Sequence, residues 1–163
     1  MKRSMMKKAS NKSNQSPVKE RSPKKSEKGT KKPAKLTRLQ SDWLKALESG
    51  EYTQCQNLLS KKTNKWNYCC LGVACEVAIK NGIELPVLID KEQKTKLYGK
   101  EHESSCLPKK VVEALQLNGD IGDFSIEGID ETALSELNDD GKSFKEIASF
   151  IRKHKRDIFT NFG

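Results

Sequence analysis

The stretch that most constrains this chain is Tyr68–Gly82, YCCLGVACEVAIKNG. From Cys69 to Ile79 only Glu76 is charged. The rest of the chain has to cover such a run, because apolar surface is driven out of water. Periodicity alone fits a buried strand or a buried helix. Three features favour a helix. Leu71, Ala74, Cys75, Ala78 and Ile79 recur at three- and four-residue steps. Glu76 and Lys80 stand four apart, where they can pair on an exposed face. Asn81-Gly82 supplies residues that accept the left-handed turn at a helix end. Gly72 costs about 1 kcal/mol against Ala inside a helix, so its presence predicts a close crossing by another part of the chain. A membrane span takes about 20 apolar residues, more than this run offers, and no membrane partner is expected.

Charge divides the chain in two. Of 31 Lys and Arg and 22 Asp and Glu, residues 1–38 hold 14 basic residues and only Glu20 and Glu27 as acids. The remaining 17 basic and 20 acidic residues leave that part mildly acidic, although the whole chain is +9. Residues 1–36 are Lys, Ser, Pro and Asn with almost no large apolar side chain, a composition that predicts a disordered basic tail. Lys19, Arg21, Lys24, Lys25, Lys28, Lys31, Lys32 and Lys35 are its candidate contacts to nucleic acid or another polyanion, since a flexible polycation releases counterions from phosphates. A nuclear-localisation signal and a solubilising tail are the alternatives. Ser16-Pro17 and Ser22-Pro23 make Ser16 and Ser22 candidate phosphorylation sites. No secretory apolar segment is visible near the N-terminus, and five Cys without one predict reduced thiols. An intracellular, non-secreted protein is expected.

Residues 37–163 read as one compact domain. A first helix is expected over 37–49, with Leu39, Trp43, Leu44 and Leu47 inward. A short second helix is expected over 52–59, then a polar loop over 61–67. After the central run, 83–89 is extended and broken by Pro86, and 94–98 pairs with 104–107 in a hairpin. Pro108 starts a helix that Asn118-Gly119 closes. A short strand over 124–126, a helix over 129–137 and a turn at Asn138–Gly141 follow. Ser143 and Glu146 form a capping box for the last helix, whose buried stripe is Phe144, Ile147, Ala148 and Ile151. The sum is an α+β but predominantly α domain with a minor antiparallel hairpin.

Four blocks occur in order: Trp43-x-x-Ala46-Leu47-x-Ser49-Gly50-x-Tyr52, then Tyr68-Cys69-Cys70-Leu71-Gly72-Val73-x-Cys75, Leu107-Pro108-x-x-Val111, and Leu137-Asn138-Asp139-x-Gly141-x-Ser143-Phe144-x-x-Ile147-Ala148. This set resembles a widespread group of small uncharacterised proteins of phage, other viral and some bacterial genomes. The resemblance implies one compact domain and a viral origin, hence a virion or a host nucleus as setting. It implies no activity. The Ser-Pro-x-Lys units and Lys31-Lys32-Pro33-Ala34-Lys35 are similar to linker-histone tails, which implies contact with DNA.

Catalysis and binding each compete with plain packing as the role of these residues. Cys69 and Cys70 open the central helix, where a thiol pKa can be lowered, and His102 beside Glu101 and Glu103 offers a base. That would be a cysteine hydrolase. The competing reading is that these Cys are small buried hydrophobes. No Cys-x-x-Cys pair occurs, so neither metal nor cofactor is expected. Trp43 falls on an apolar helix face and reads as core. Trp66, in a loop rich in Lys and Asn, is the better candidate for stacking on a base. The expected function is non-enzymatic DNA binding through the tail, and the alternative is an accessory protein for an unknown protein partner.

Overall fold

The computed structural model describes residues 34–162. α1 (Arg38–Glu48) begins where Thr37 and Gln40 cap each other. Thr37 Oγ1 accepts from the Gln40 amide at 3.2 Å, and Gln40 Oε1 accepts from the Thr37 amide at 2.9 Å. Trp43, Leu44 and Leu47 are buried, and Leu39 partly so. Gln40 is buried with them, a polar residue the apolar pattern does not reveal. Its Nε2 donates to the Leu115 carbonyl at 2.8 Å and to Asn161 Oδ1 at 3.0 Å, which ties α1 to two distant segments.

The helix expected over 52–59 does not form. β1 (Thr53–Gln54) lies parallel to β3 (Trp66–Tyr68), and β2 (Ser60–Lys62) lies antiparallel on the other side of β3. The expected polar loop over 61–67 is therefore a hairpin. Long-range pairing overrides local propensity here. Tyr52 packs edge-on against Tyr68, with ring centroids 5.5 Å apart, a contact that an isolated helix over 52–59 would not provide.

α2 (Cys70–Lys80) is the expected central helix and packs against α1. It is buried almost all round from Cys70 to Ala78. The crossing at Gly72 is real: a Cβ there would fall on the Leu59 carbonyl. The Cys69 amide donates to that same carbonyl at 3.1 Å. The expected Glu76–Lys80 pair is absent. Glu76 turns inward to Lys96 Nζ at 2.7 Å, and Lys80 meets Glu51 at 2.9 Å.

β4 (Val87–Asp90) pairs antiparallel with β5 (Thr95–Tyr98). Residues 94–98 thus find their partner before them in the chain, not at 104–107. The turn explains the choice: Asp90 Oδ1 accepts the amides of Glu92 and Gln93, both at 2.9 Å. The two sheets meet at β2 and β5. Thr95 Oγ1 donates to the Ser60 carbonyl at 2.7 Å, and Ser60 Oγ accepts from the Lys96 amide at 3.0 Å.

α3 (Lys109–Leu115) starts after Pro108 and ends at Gln116, whose φ of 57° makes the turn expected of Asn118-Gly119. No strand forms over 124–126; an isolated bridge joins Asp123 and Ala133. α4 (Leu134–Asp139) starts later than the helix expected over 129–137 and takes in Asn138 and Asp139, and the expected turn is confined to Asp140-Gly141. α5 (Phe144–Lys153) has the expected capping box and the expected buried stripe. α6 (Lys155–Ile158) and a 3-10 turn (Thr160–Phe162) follow, and Phe159 packs edge-on against Trp43. Among the described residues 40% are helical and 16% lie in strands or bridges. The domain is mixed α+β, and the expectation of a predominantly α domain is corrected by the strands at 53–68 and 87–98.

Candidate nucleic-acid interface

The β2–β3 register places Lys62 opposite Trp66 and Ser60 opposite Tyr68. Alternate residues of a strand share a face, so Lys62, Trp66 and Tyr68 stand on one side. The turn between them is held by Asn67, whose Nδ2 donates to the carbonyls of Lys61 and Lys65 and to Thr63 Oγ1 at 3.0–3.2 Å. Lys62 Nζ lies 5.7 Å from the Trp66 ring centroid.

β5 adds a second cation. Lys96 Nζ is 5.1 Å from the Trp66 centroid and 5.0 Å from that of Tyr68, both within cation–π reach. It donates to Glu76 Oε1 at 2.7 Å and to Tyr68 Oη at 2.8 Å. Tyr98 Oη donates to the same Glu76 oxygen at 2.7 Å. Burial works against the Lys96 ammonium, but the bonds to Glu76 and Tyr68 outweigh it and its pKa is raised. Burial, then the Glu76 charge, pushes the Tyr98 phenol up as well. Both groups therefore keep their protons at neutral pH.

Beside Trp66 lies a groove of about 300 Å³. Trp66 and Ile89 form its apolar lining, with Lys62, Lys91, Lys94 and Asp90 around them. Ile89 is 57% exposed. Asp90 is engaged with its own turn. Among the described residues Lys61, Lys62, Lys65, Lys91 and Lys94 make no ion pair, whereas Lys80, Lys96 and Arg152 do. The arrangement offers an anion a cluster of free cations next to an aromatic ring.

The other candidates are placed differently. Cys69 is the N-cap of α2, and its Sγ accepts from the Gly72 amide at 3.3 Å. Cys70 Sγ donates to the Leu134 carbonyl at 3.4 Å. Burial pushes Cys69 up to about 12 and Cys70 well above the ordinary thiol range. The helix N-terminus would lower a thiol pKa, but desolvation prevails. His102 is exposed in the turn after Gly99, with φ 57°, and no hydrogen bond joins it to either thiol among the described residues. Cys106 Sγ donates to Glu103 Oε2 at 3.0 Å; burial first, then that bond, pushes it up to about 12. Of the tail candidates, Lys35 is exposed. Lys19, Arg21, Lys24, Lys25, Lys28, Lys31, Lys32, Ser16 and Ser22 lie outside the described residues.

Sequence reasoning singled out Trp66 but missed the lysines around it. The available signal was the polar Thr63-Asn64-Lys65 between two three-residue segments, a hairpin pattern read as a loop. It also missed Asn138, which is wholly buried. Asn138 Oδ1 accepts from the Cys70 amide at 3.1 Å and Gln54 Nε2 at 2.9 Å, and its Nδ2 donates to the Cys55 carbonyl at 2.9 Å.

Residues 36–155 match the family model described as Domain of unknown function (DUF8296). The chain belongs to this family. The DUF8296 match takes in α1 to α5, the Trp66 groove and the Asn138 hub, and it leaves residues 1–35 outside. No curated protein and no solved structure matched the chain.

Proposed function

We propose that this chain is a non-enzymatic nucleic-acid-binding protein in which the basic residues 1–38 supply most of the affinity and the Trp66 face of the domain adds a contact. The observation that carries the reading is the set of unpaired lysines around the half-buried Trp66, on a domain whose overall charge is slightly acidic. The engaged, high-pKa thiols of Cys69 and Cys70 favour a non-enzymatic role. Binding is non-specific and driven by counterion release. If about 6–10 basic side chains meet phosphates, log K against log[salt] slopes roughly −5 to −9.

A salt titration of labelled duplex DNA tests this with the full chain and with residues 1–33 removed. The cut has to stop before Leu36, which packs on the core, and Thr37, which caps α1. It leaves 19 basic against 20 acidic residues. Truncation is expected to remove most duplex binding and to leave the melting temperature unchanged. Equal affinity after truncation would refute the part assigned to residues 1–33. Phosphorylation at Ser16 and Ser22 adds about −1.5 to −2 charge each and weakens binding. A protein partner is the second reading. It is favoured by Val87, Leu88 and Ile89, three exposed apolar residues on β4, whose outer edge is unpaired among the described residues.

A further inference from the structure

We propose that the groove beside Trp66 is a binding site for single-stranded nucleic acid, with one unpaired base stacked on the indole and the flanking phosphates met by Lys62, Lys91 and Lys94. The proposal rests on the reading of the chain as a nucleic-acid binder and specifies the form of nucleic acid that the domain takes.

Three observations carry it. The first is a fixed platform. Trp66 sits at the end of β3 next to a turn clamped by the three Asn67 bonds. Lys96 is held against the ring by Glu76 and Tyr68 and cannot swing away without leaving a carboxylate half-buried and unpaired. A platform ordered in advance avoids the entropy cost of ordering it on binding. The second is a movable cation. Lys62 lies near the same ring but has no carboxylate partner among the described residues. A phosphate can draw it outward and so free its side of the ring for a base. The third is size and polarity. About 300 Å³ is at the lower end of ordinary ligand pockets and suits one base. The lining is apolar at Trp66 and Ile89 and cationic at the rim. A duplex keeps its bases stacked inside and presents phosphates to such a surface. A single strand presents both base and phosphate, which is the combination that aromatic–basic grooves recognise.

The two tryptophans make the test direct. Trp43 is wholly buried, with its Nε1 donating to the Cys70 carbonyl at 3.0 Å, so quenching by an added oligonucleotide reports Trp66. The full chain is titrated with oligothymidylate and with duplex of equal length, by Trp emission and by anisotropy of the labelled strand. Oligothymidylate is expected to quench emission. Trp66→Ala is expected to weaken its binding roughly 5- to 150-fold, the range for losing one stacked base, and to change duplex affinity less than about twofold. Trp66→Phe keeps a ring and retains most of the affinity, so an unfolded Trp66→Ala protein does not end the test. Lys62→Ala with Lys94→Ala, which leaves the ring in place, lowers the salt slope for oligothymidylate by about 1.4. Salt-dependent duplex binding with no Trp66 quenching by oligothymidylate overturns the groove and leaves the proposed function standing. Failure to bind either form overturns both. Quenching by phosphatidylserine vesicles but not by oligothymidylate assigns the face to an anionic membrane and overturns the groove as well.

Discussion

Strand β3 connects two regions built from similar residue types and put to opposite use. At its far end Tyr68 leads into Cys69, Cys70 and the start of α2, where Asn138, Gln54 and the Cys70 amide satisfy one another in the core. At its near end Trp66 stands beside Lys62, Lys91 and Lys94, which no described carboxylate neutralises. Both ends are polar and aromatic by sequence. The difference is closure. In the first, the Cys70 amide, Asn138 and Gln54 have each other as partners, so removing one leaves an orphan group and costs stability. In the second, cations are left in water beside a ring, which adds little to stability and leaves them free for a ligand. A region whose polar groups satisfy one another holds the fold, and a region whose charges remain open is where binding is to be sought.

The contrast can be broken at several points. Thiol labelling should show the largest effect. The half-exposed Cys55 and Cys106 should react first, and the buried Cys70 and Cys75 only as the domain opens, slower by roughly 10³ or more. Because Cys69 and Cys106 are held up to about 12 and Cys55 up to about 11, their folded pKa values lie above the unfolded value. Stability from these protonated thiols is therefore full below about pH 8.5 and is lost as pH rises from there towards 12. Urea midpoints that stay flat across that alkaline range would break this account. Next comes Gly72→Ala. Its new methyl meets the Leu59 backbone, which has no room to give, and a loss of about 3 kcal/mol or more is expected in denaturant unfolding. A tolerated substitution would mean that the Leu59 backbone does not cross α2 as described.

Asn138→Ala leaves the Cys70 amide and the Cys55 carbonyl without their partner, and about 1–3 kcal/mol should go. Oligothymidylate affinity should stay unchanged; a parallel loss would join the two ends of β3 into one site. Ser143→Ala removes an N-cap and should cost about 0.5–2 kcal/mol in the same assay, again with binding intact. The smallest change is expected at the open end. Lys62→Ala and Lys94→Ala should each move stability by less than about 0.5 kcal/mol, as exposed substitutions do. A larger shift would show that these lysines hold the hairpin and are not in reserve for a ligand.

The central helix, the first helix and the last were legible because each rests on period and caps within about a dozen residues. Thr37, Asn81 and Ser143 sit where local rules put them. Gly72 was legible as an anomaly, since a residue that weakens a helix signals a neighbour too close for a side chain. The candidate interface was legible only as Trp66. Nothing in the order of residues says that Lys91 and Lys94 come from a second hairpin to meet it, because 25 residues or more separate them and the joint depends on the hydrogen bonds that Ser60 accepts from Thr95 and Lys96. The strands at 53–68 were missed for the same reason. Segments of two or three residues carry too little periodicity to outweigh propensity, and partner strands decide them.

The sequence by itself determined the long apolar helix, its capped neighbours and the separation of a basic segment from a slightly acidic domain, because composition and helical period are local quantities. Tertiary structure alone decided the mixed α+β class, the fate of the thiols and the direction in which Glu76 points. Cys69 stands at a helix N-terminus, where sequence logic lowers a thiol pKa, yet the packing around it removes the water that a thiolate needs. Glu76 stands four residues before Lys80, where helical logic pairs them, yet Lys96 and Tyr98 reach it from another strand. Burial and long-range partners are properties of the assembled chain, and they set the electrostatics of each group.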